Sequence, residues 1–151
     1  MQLDARPELG SVRHRRRQLH AALVQLEQAL AATAGRPEPW RDLVAAALTR
    51  LRATLDDHTD QTEAPGGLFD QILAEAPRLE PSVARLRQDH RKLAASIDAL
   101  LAQCRGAIPD SDEVERLRRD ALELLGQAAR HRQRGSDLLW EAYEVDLSAA
   151  D

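Results

Sequence analysis

The sequence predicts an all-α protein: an antiparallel up-down-up-down four-helix bundle with a short extra helix between the second and third long helices. Three observations lead there. Apolar residues recur at steps of three and four through four long segments, the period of a helix with one buried face. No segment alternates apolar and polar residues as a half-buried strand does. The links between segments are short and carry proline or glycine, which favours antiparallel neighbours. At 151 residues, with 43% hydrophobic but only 3% aromatic, the chain forms one domain whose core is leucine, alanine, valine and isoleucine.

Residues 1–11 read as a lead-in, with Pro7 and Gly10 as breakers and Ser11 as an N-cap. The bundle spans residues 12–147, and 148–151 form a tail that frays from Leu147. The first helix is expected over residues 12–33, on a seam of Val12, Leu19, Leu23, Leu26 and Leu30. His20 sits at the edge of that seam and His14 on the opposite face. Gly35 and Arg36-Pro37-Glu38-Pro39 end this helix and open the next, since proline is tolerated in a first turn. The second seam is Leu43, Ala47, Leu51, Leu55 and His58, with Leu48 alongside and Trp40 packed against a neighbouring helix end.

Ala64-Pro65-Gly66-Gly67 must break the second helix between Thr62 and Pro65. A short helix follows over residues 68–75, and Pro77 and Pro81 bracket the entry to the third long helix. Its seam is Leu79, Val83, Leu86, His90, Leu93, Ile97, Leu100 and Cys104, which puts His90 squarely in the core. Gly106-Ala107-Ile108-Pro109 stops it. Asp110 with Glu113 makes a capping box for the fourth helix, whose seam is Val114, Leu117, Ala121, Leu124, Ala128, His131, Gly135, Leu138 and Ala142.

A formal charge of −4 argues against a nucleic-acid binder. Arg13, Arg15, Arg16 and Arg17 read first as a solvated helix face and second as a site for an anion or an acidic partner. The single cysteine, Cys104, excludes an intrachain disulfide and a thiolate metal cage, and suits a reducing cytoplasm. No apolar run has the length of a membrane span. Nucleophile elbow, phosphate-binding glycine loop and cysteine–histidine motif are all missing, so no hydrolytic reaction is indicated.

Four of the five histidines, His20, His58, His90 and His131, fall on or beside a seam, one per long helix. One inward histidine is ordinarily a core residue bonded to a carbonyl or water. Four need a common reason, because an unpartnered buried imidazole costs on the order of 1–3 kcal/mol. A metal supplies that reason, as neutral imidazole binds iron, zinc and copper. Glu63, five residues after His58, adds a carboxylate just ahead of the helix break, but on an ideal helix it is rotated about 140° from His58 and needs local unwinding near Pro65 to turn inward.

Over residues 12–147 the chain resembles the hemerythrin-like (HHE cation-binding) family. The resemblance is carried by LHAALVQLEQAL, DDHTDQTEAPGGLFDQI, RLRQDHRKLAASIDALL and the late histidine of ARHRQRGSDLLWEAYEVDL. It implies a four-helix bundle around non-haem iron, as a di-iron centre or a single ion. His20, His58, His90 and His131 would be ligands and Glu63 a bridging carboxylate. It also implies binding or sensing of dioxygen, nitric oxide or redox state and no defined catalytic reaction; the sequence names no protein partner. Thr62 stands where the family usually has a carboxylate after His58. Gly135 and Ser136 stand where it has one after His131. Two other readings remain: a degenerate bundle without metal that serves as a scaffold, and a DinB-like single-metal bundle, which lacks its second late histidine at Gly135. Ferritin-like proteins are excluded, since no histidine here follows a glutamate by three.

Overall fold

The computed structural model describes residues 7–32 and 35–144. Four long helices account for most of them: α1 (Pro7–Ala31), α2 (Pro37–Glu63), α4 (Glu80–Gln103) and α5 (Ser111–Tyr143), with the short α3 (Leu68–Glu75) and a 3-10 turn at Pro77–Leu79 between α2 and α4. No strand occurs among the described residues. Helix α1 packs on α2, α2 on α4, α4 on α5 and α5 on α1, while α3 lies against α2. Bonds between helix ends show how the segments meet. Gln61, late in α2, donates to Ser11, early in α1, at 2.8 Å. Arg41, early in α2, donates to the Ala107 carbonyl beyond α4 at 2.7 Å. Arg16 of α1 meets Ser136, late in α5.

Two expected boundaries shift. Helix α1 begins at Pro7, not after a lead-in ending at residue 11, because Leu9 is buried and draws another turn into the core. Pro7 is compatible with a first turn, where its missing N–H has no helical partner to lose. Ser11 is thus inside the helix and not its cap. The expected end at Thr33 and the tail from Leu147 lie outside the described residues. In α2 the buried stripe is Trp40, Val44, Ala47, Leu48, Leu51, Leu55, His58 and Thr62, whereas Leu43 is 56% exposed. Stepping back from Leu48 by four reaches Val44 and by eight reaches Trp40, and the large indole sets the register over Leu43.

The break after α2 falls where the sequence places it. Ala64 is extended, as the residue before a proline prefers. Gly66 has a φ of +76°, in the left-handed region that glycine occupies without strain. At Gly67 a Cβ would stand 2.7 Å from the Gln61 carbonyl oxygen, so only glycine lets the chain fold back this closely. The Asp70 carboxylate accepts from the Gly66 N–H at 2.8 Å and ties the turn to α3. At the far end Asp110 caps α5, accepting from the Glu113 N–H at 2.8 Å.

Buried apolar side chains form two clusters. One holds Ala22, Leu26, Trp40, Leu48, Leu55, Ile97 and Leu124 with their neighbours. The other holds Leu9, Val12, Phe69, Ile72, Val83, Leu86, Leu138 and Tyr143 among others. Along α4 the passage from the second cluster to the first runs Leu86, His90, Leu93. Along α5 it runs from Leu138 back through His131 to Ala128. The histidines occupy the layer where the apolar core divides.

Candidate metal centre

Each ring of that layer comes from a different helix and takes a seam position, so rigid helices aim all three at one point. His58, His90 and His131 are buried, the most enclosed being His90 at 2% exposure. Their ring centroids stand 4.9 Å (His58–His90), 5.6 Å (His58–His131) and 4.7 Å (His90–His131) apart, edge to face. One nitrogen from each ring can be chosen so that all three lie within 4.8 Å of one another. His58 Nε2 and His131 Nε2 are 3.5 Å apart.

Carboxylates hold two of the rings from behind. His90 Nδ1 lies 2.6 Å from Glu63 Oε2, and His131 Nδ1 lies 3.1 Å from Asp89 Oδ2. An ionised carboxylate only accepts, so each Nδ1 carries the proton and Nε2 keeps the lone pair. The carboxylates are matched in turn. Arg134 grips Asp89 through two bonds of 3.0 and 3.1 Å, and Arg87 stands 3.6 Å from Glu63. Phe69 of α3 lies nearly parallel to His90, 6.0 Å away, with the Arg87 guanidinium over its ring. The glycine turn thus places α3 as a cover on the triad.

The electrostatics favour neutral rings. Burial holds His58 well below the ordinary histidine range, and the neighbouring His90, His131 and Arg16 push the same way. Burial also lowers His90, against the opposing pull of Glu63. His131 is lowered to about 4 by burial and by His90, with Asp89 opposing. Asp89 is raised by its own burial, but bonds from Arg134 and His131 outweigh this and keep it below the usual carboxylate value. Three imidazoles neutral at pH 7 are three lone-pair donors.

These residues fit a metal ion. Among the described residues, His58 Nδ1 and His90 Nε2 are buried without a hydrogen-bond partner. An orphaned buried nitrogen costs on the order of 1–3 kcal/mol, which a cation among the rings would offset. Neutral imidazole donors suit iron, zinc, copper and nickel. The rings also line a cavity of about 60 Å³ whose remaining wall is largely apolar, including Leu19, Leu23, Leu51, Leu93 and Leu138.

Not every expected ligand joins the triad. His20 is half-buried on the cavity wall, where its Nδ1 meets Arg132 Nη1 at 3.1 Å, and it stands apart from the three grouped rings. Glu63 turns inward without any unwinding of α2, yet its carboxylate serves His90 and Arg87. Thr62 faces the same cavity with its hydroxyl bonded to the His58 carbonyl at 3.0 Å. His14 and Asp137 are exposed. Sequence reasoning missed Asp89 and Arg134. The signal was available: Asp89 directly precedes His90, a rotation of about 100° that faces it toward α5, and Arg134 lies one turn after His131. It also misread Arg16, which is buried and not part of a solvated face.

Comparison with protein-family models, with curated proteins and with solved structures finds no match to this chain.

Proposed function

We propose that this chain is a hemerythrin-like, antiparallel up-down-up-down four-helix bundle that binds one non-haem iron ion through His58, His90 and His131. The carrying observation is the triad itself: three buried rings with nitrogens within 4.8 Å, two of them braced by carboxylates. The meeting of helix ends at Gln61 and Ser11, and at Arg41 and Ala107, supports the antiparallel topology. A single ion is favoured over a pair because Glu63 and Asp89 are both spent on imidazole N–H groups and arginines. Bridging two irons requires carboxylates free to ligate. Iron, and a role in sensing oxygen, nitric oxide or redox state, rest on the sequence resemblance.

His58, His90 and His131 would hold the ion, and iron bound there would supply affinity for a diatomic ligand and a change of oxidation state. The chain's own contribution is to fix the tautomers of His90 and His131, exclude bulk water with leucine walls and cover the rings with Phe69. The reading is a binding protein because the sequence resemblance implies binding or sensing and no defined reaction.

The test is metal analysis of protein purified without chelator and reconstituted with ferrous iron. We expect one iron per chain, lost in His90→Ala. Two irons with the near-ultraviolet absorption of an oxo-bridged pair would replace the single site by a di-iron one. No uptake of iron or another transition metal would leave the scaffold reading.

A further inference from the structure

The cavity beside the rings is longer than a metal ion needs, and the sequence spacing says how long. Leu55, Leu93 and Ala128 line it three residues away from His58, His90 and His131 on the same three helices. Leu51, Ile97 and Leu124 line it seven residues away. All of them belong to one apolar cluster, so both layers lie on the same side of the rings, while Leu86 and Leu138 of the other cluster line the opposite side. At a rise of 1.5 Å per residue the farther layer stands about 10 Å from the rings. Ala128 is the small member. Leucine or isoleucine fills every other position of the two layers, and the alanine leaves room in the nearer one. Spread over that depth, a cavity of about 60 Å³ is narrow, with room for about four to six water-sized groups in file.

The ring layer supplies a polar anchor. His90 is 2% exposed, and its Nδ1 carries the proton toward Glu63 at 2.6 Å. Its Nε2 is therefore a buried lone pair, with no hydrogen-bond partner among the described residues. We propose that the cavity is a receptor for a short unbranched primary alcohol. Its hydroxyl meets the imidazole layer, and its alkyl chain runs past Leu55, Leu93 and Ala128 toward Leu51, Ile97 and Leu124. Three features select that class. A hydroxyl donates to His90 Nε2, which an ionised carboxylate, an acceptor only, cannot do. It is uncharged, so it enters a largely apolar space without the desolvation cost of an ammonium or a carboxylate. The narrow space beside Ala128 admits a chain in file and excludes a branch. The inference does not rest on the metal reading: where an ion takes Nε2, the hydroxyl oxygen still has lone pairs to offer it.

The experiment uses the full chain with chelator present, which separates its outcome from that of metal uptake. Unbranched primary alcohols from ethanol to n-octanol are titrated into protein with isotope-labelled methyl groups and histidine rings, followed by nuclear magnetic resonance. We expect the Ile97 methyl signals and the His90 Nε2 signal to move together and saturably. Affinity should rise about fourfold for each added methylene and level off at about five carbons. The branched isomer tert-pentyl alcohol should bind about tenfold or more weakly than n-pentanol. Ala128→Leu fills the nearer layer and should bring the plateau to a shorter chain or abolish binding. Leu124→Ala deepens the farther layer and should carry the plateau to a longer chain. If Leu124→Ala does not fold, Ala128→Leu and the branched isomer carry the test. Affinity that climbs to n-octanol without levelling overturns the inference, as does equal binding of the branched isomer. So does a plateau that stays in place in the folded variants, or a His90 Nε2 signal that stays still while alcohol binds. Failure of every alcohol to bind saturably overturns it as well and leaves the metal reading as it stands.

Discussion

Along α2, α4 and α5 one seam serves two regions of opposite character. On one side of the divide, Leu51, Leu55, Leu93, Ile97 and Leu124 pack in a continuous apolar cluster. Within one turn on α2 and α4, and two turns on α5, the same seam presents His58, His90 and His131. Every methylene buried in the first region contributes about 0.8 kcal/mol, without any need for a specific partner. In the second region burial opposes stability unless each nitrogen is satisfied, and two of them are not. Periodicity decides where a side chain points. Residue type decides whether that position stabilises the fold or draws on stability supplied elsewhere.

The largest expected effects set these regions against each other. Ile97 is 1% exposed, and Ile97→Ala should cost about 2–5 kcal/mol of unfolding free energy while metal stoichiometry is retained. His58→Leu should do the reverse: it removes metal binding, yet the chelated protein should be at least as stable as the parent. Urea unfolding with chelator present, beside metal analysis, measures both. If His58→Leu loses as much stability as Ile97→Ala, the imidazole layer is ordinary core and the contrast collapses.

A second test uses pH. The three histidines have folded pKa values below the ordinary 6.5. Between the folded and unfolded values the unfolded chain binds more protons, so stability rises with pH there. The chelated protein should hold its full stability above pH 6.5 and lose it as the pH falls toward 4. His131 alone, lowered from 6.5 to about 4, accounts for about 3 kcal/mol across that window. Thermal unfolding from pH 7.5 to 4.5 measures this. A flat profile would mean the rings are already protonated or exposed. His131→Leu should flatten the slope by about one proton, whereas Ile97→Ala should shift the whole curve down without changing its shape.

Most of the helical layout was legible because threes and fours, prolines, paired glycines and an aspartate cap each act within a few residues. The inward direction of His58, His90 and His131 was legible for the same reason. What escaped depended on neighbours in other helices. Leu43 and Val44 serve equally well as seam residues on paper, and the register was settled by the bulk of Trp40 at the helix start. Arg16 looked like one more solvated cation. Its burial follows from Gly135 and Ser136, which lie 119 and 120 positions away and leave it space and an acceptor. Glu63 read as inward only if α2 unwound near Pro65, and its pairing with His90 was not legible, because that depends on how α2 and α4 face each other.

The smallest effects concern the groups behind the rings. Glu63 and Asp89 touch the triad only through imidazole N–H groups, so their replacement should weaken metal binding without removing it. Glu63→Gln and Asp89→Asn keep an oxygen acceptor but lose the negative charge that makes the ring a stronger donor. Each should lower metal affinity by about tenfold to a hundredfold with stoichiometry unchanged. Asp89→Asn also releases the Arg134 fork, so it should be the more destabilising of the two in the chelated protein. Asp137 is the control. It is exposed, six residues after His131, and among the described residues it accepts from Gln133 at 2.9 Å on its own helix. Asp137→Ala should change stability by no more than about 0.5 kcal/mol and leave metal affinity as it was. Competitive chelator titration of the three variants ranks them. If Asp137→Ala weakens the metal as much as Asp89→Asn does, α5 turns a different face to the site from the one described, and the separation of imidazole layer from solvated surface fails on that helix.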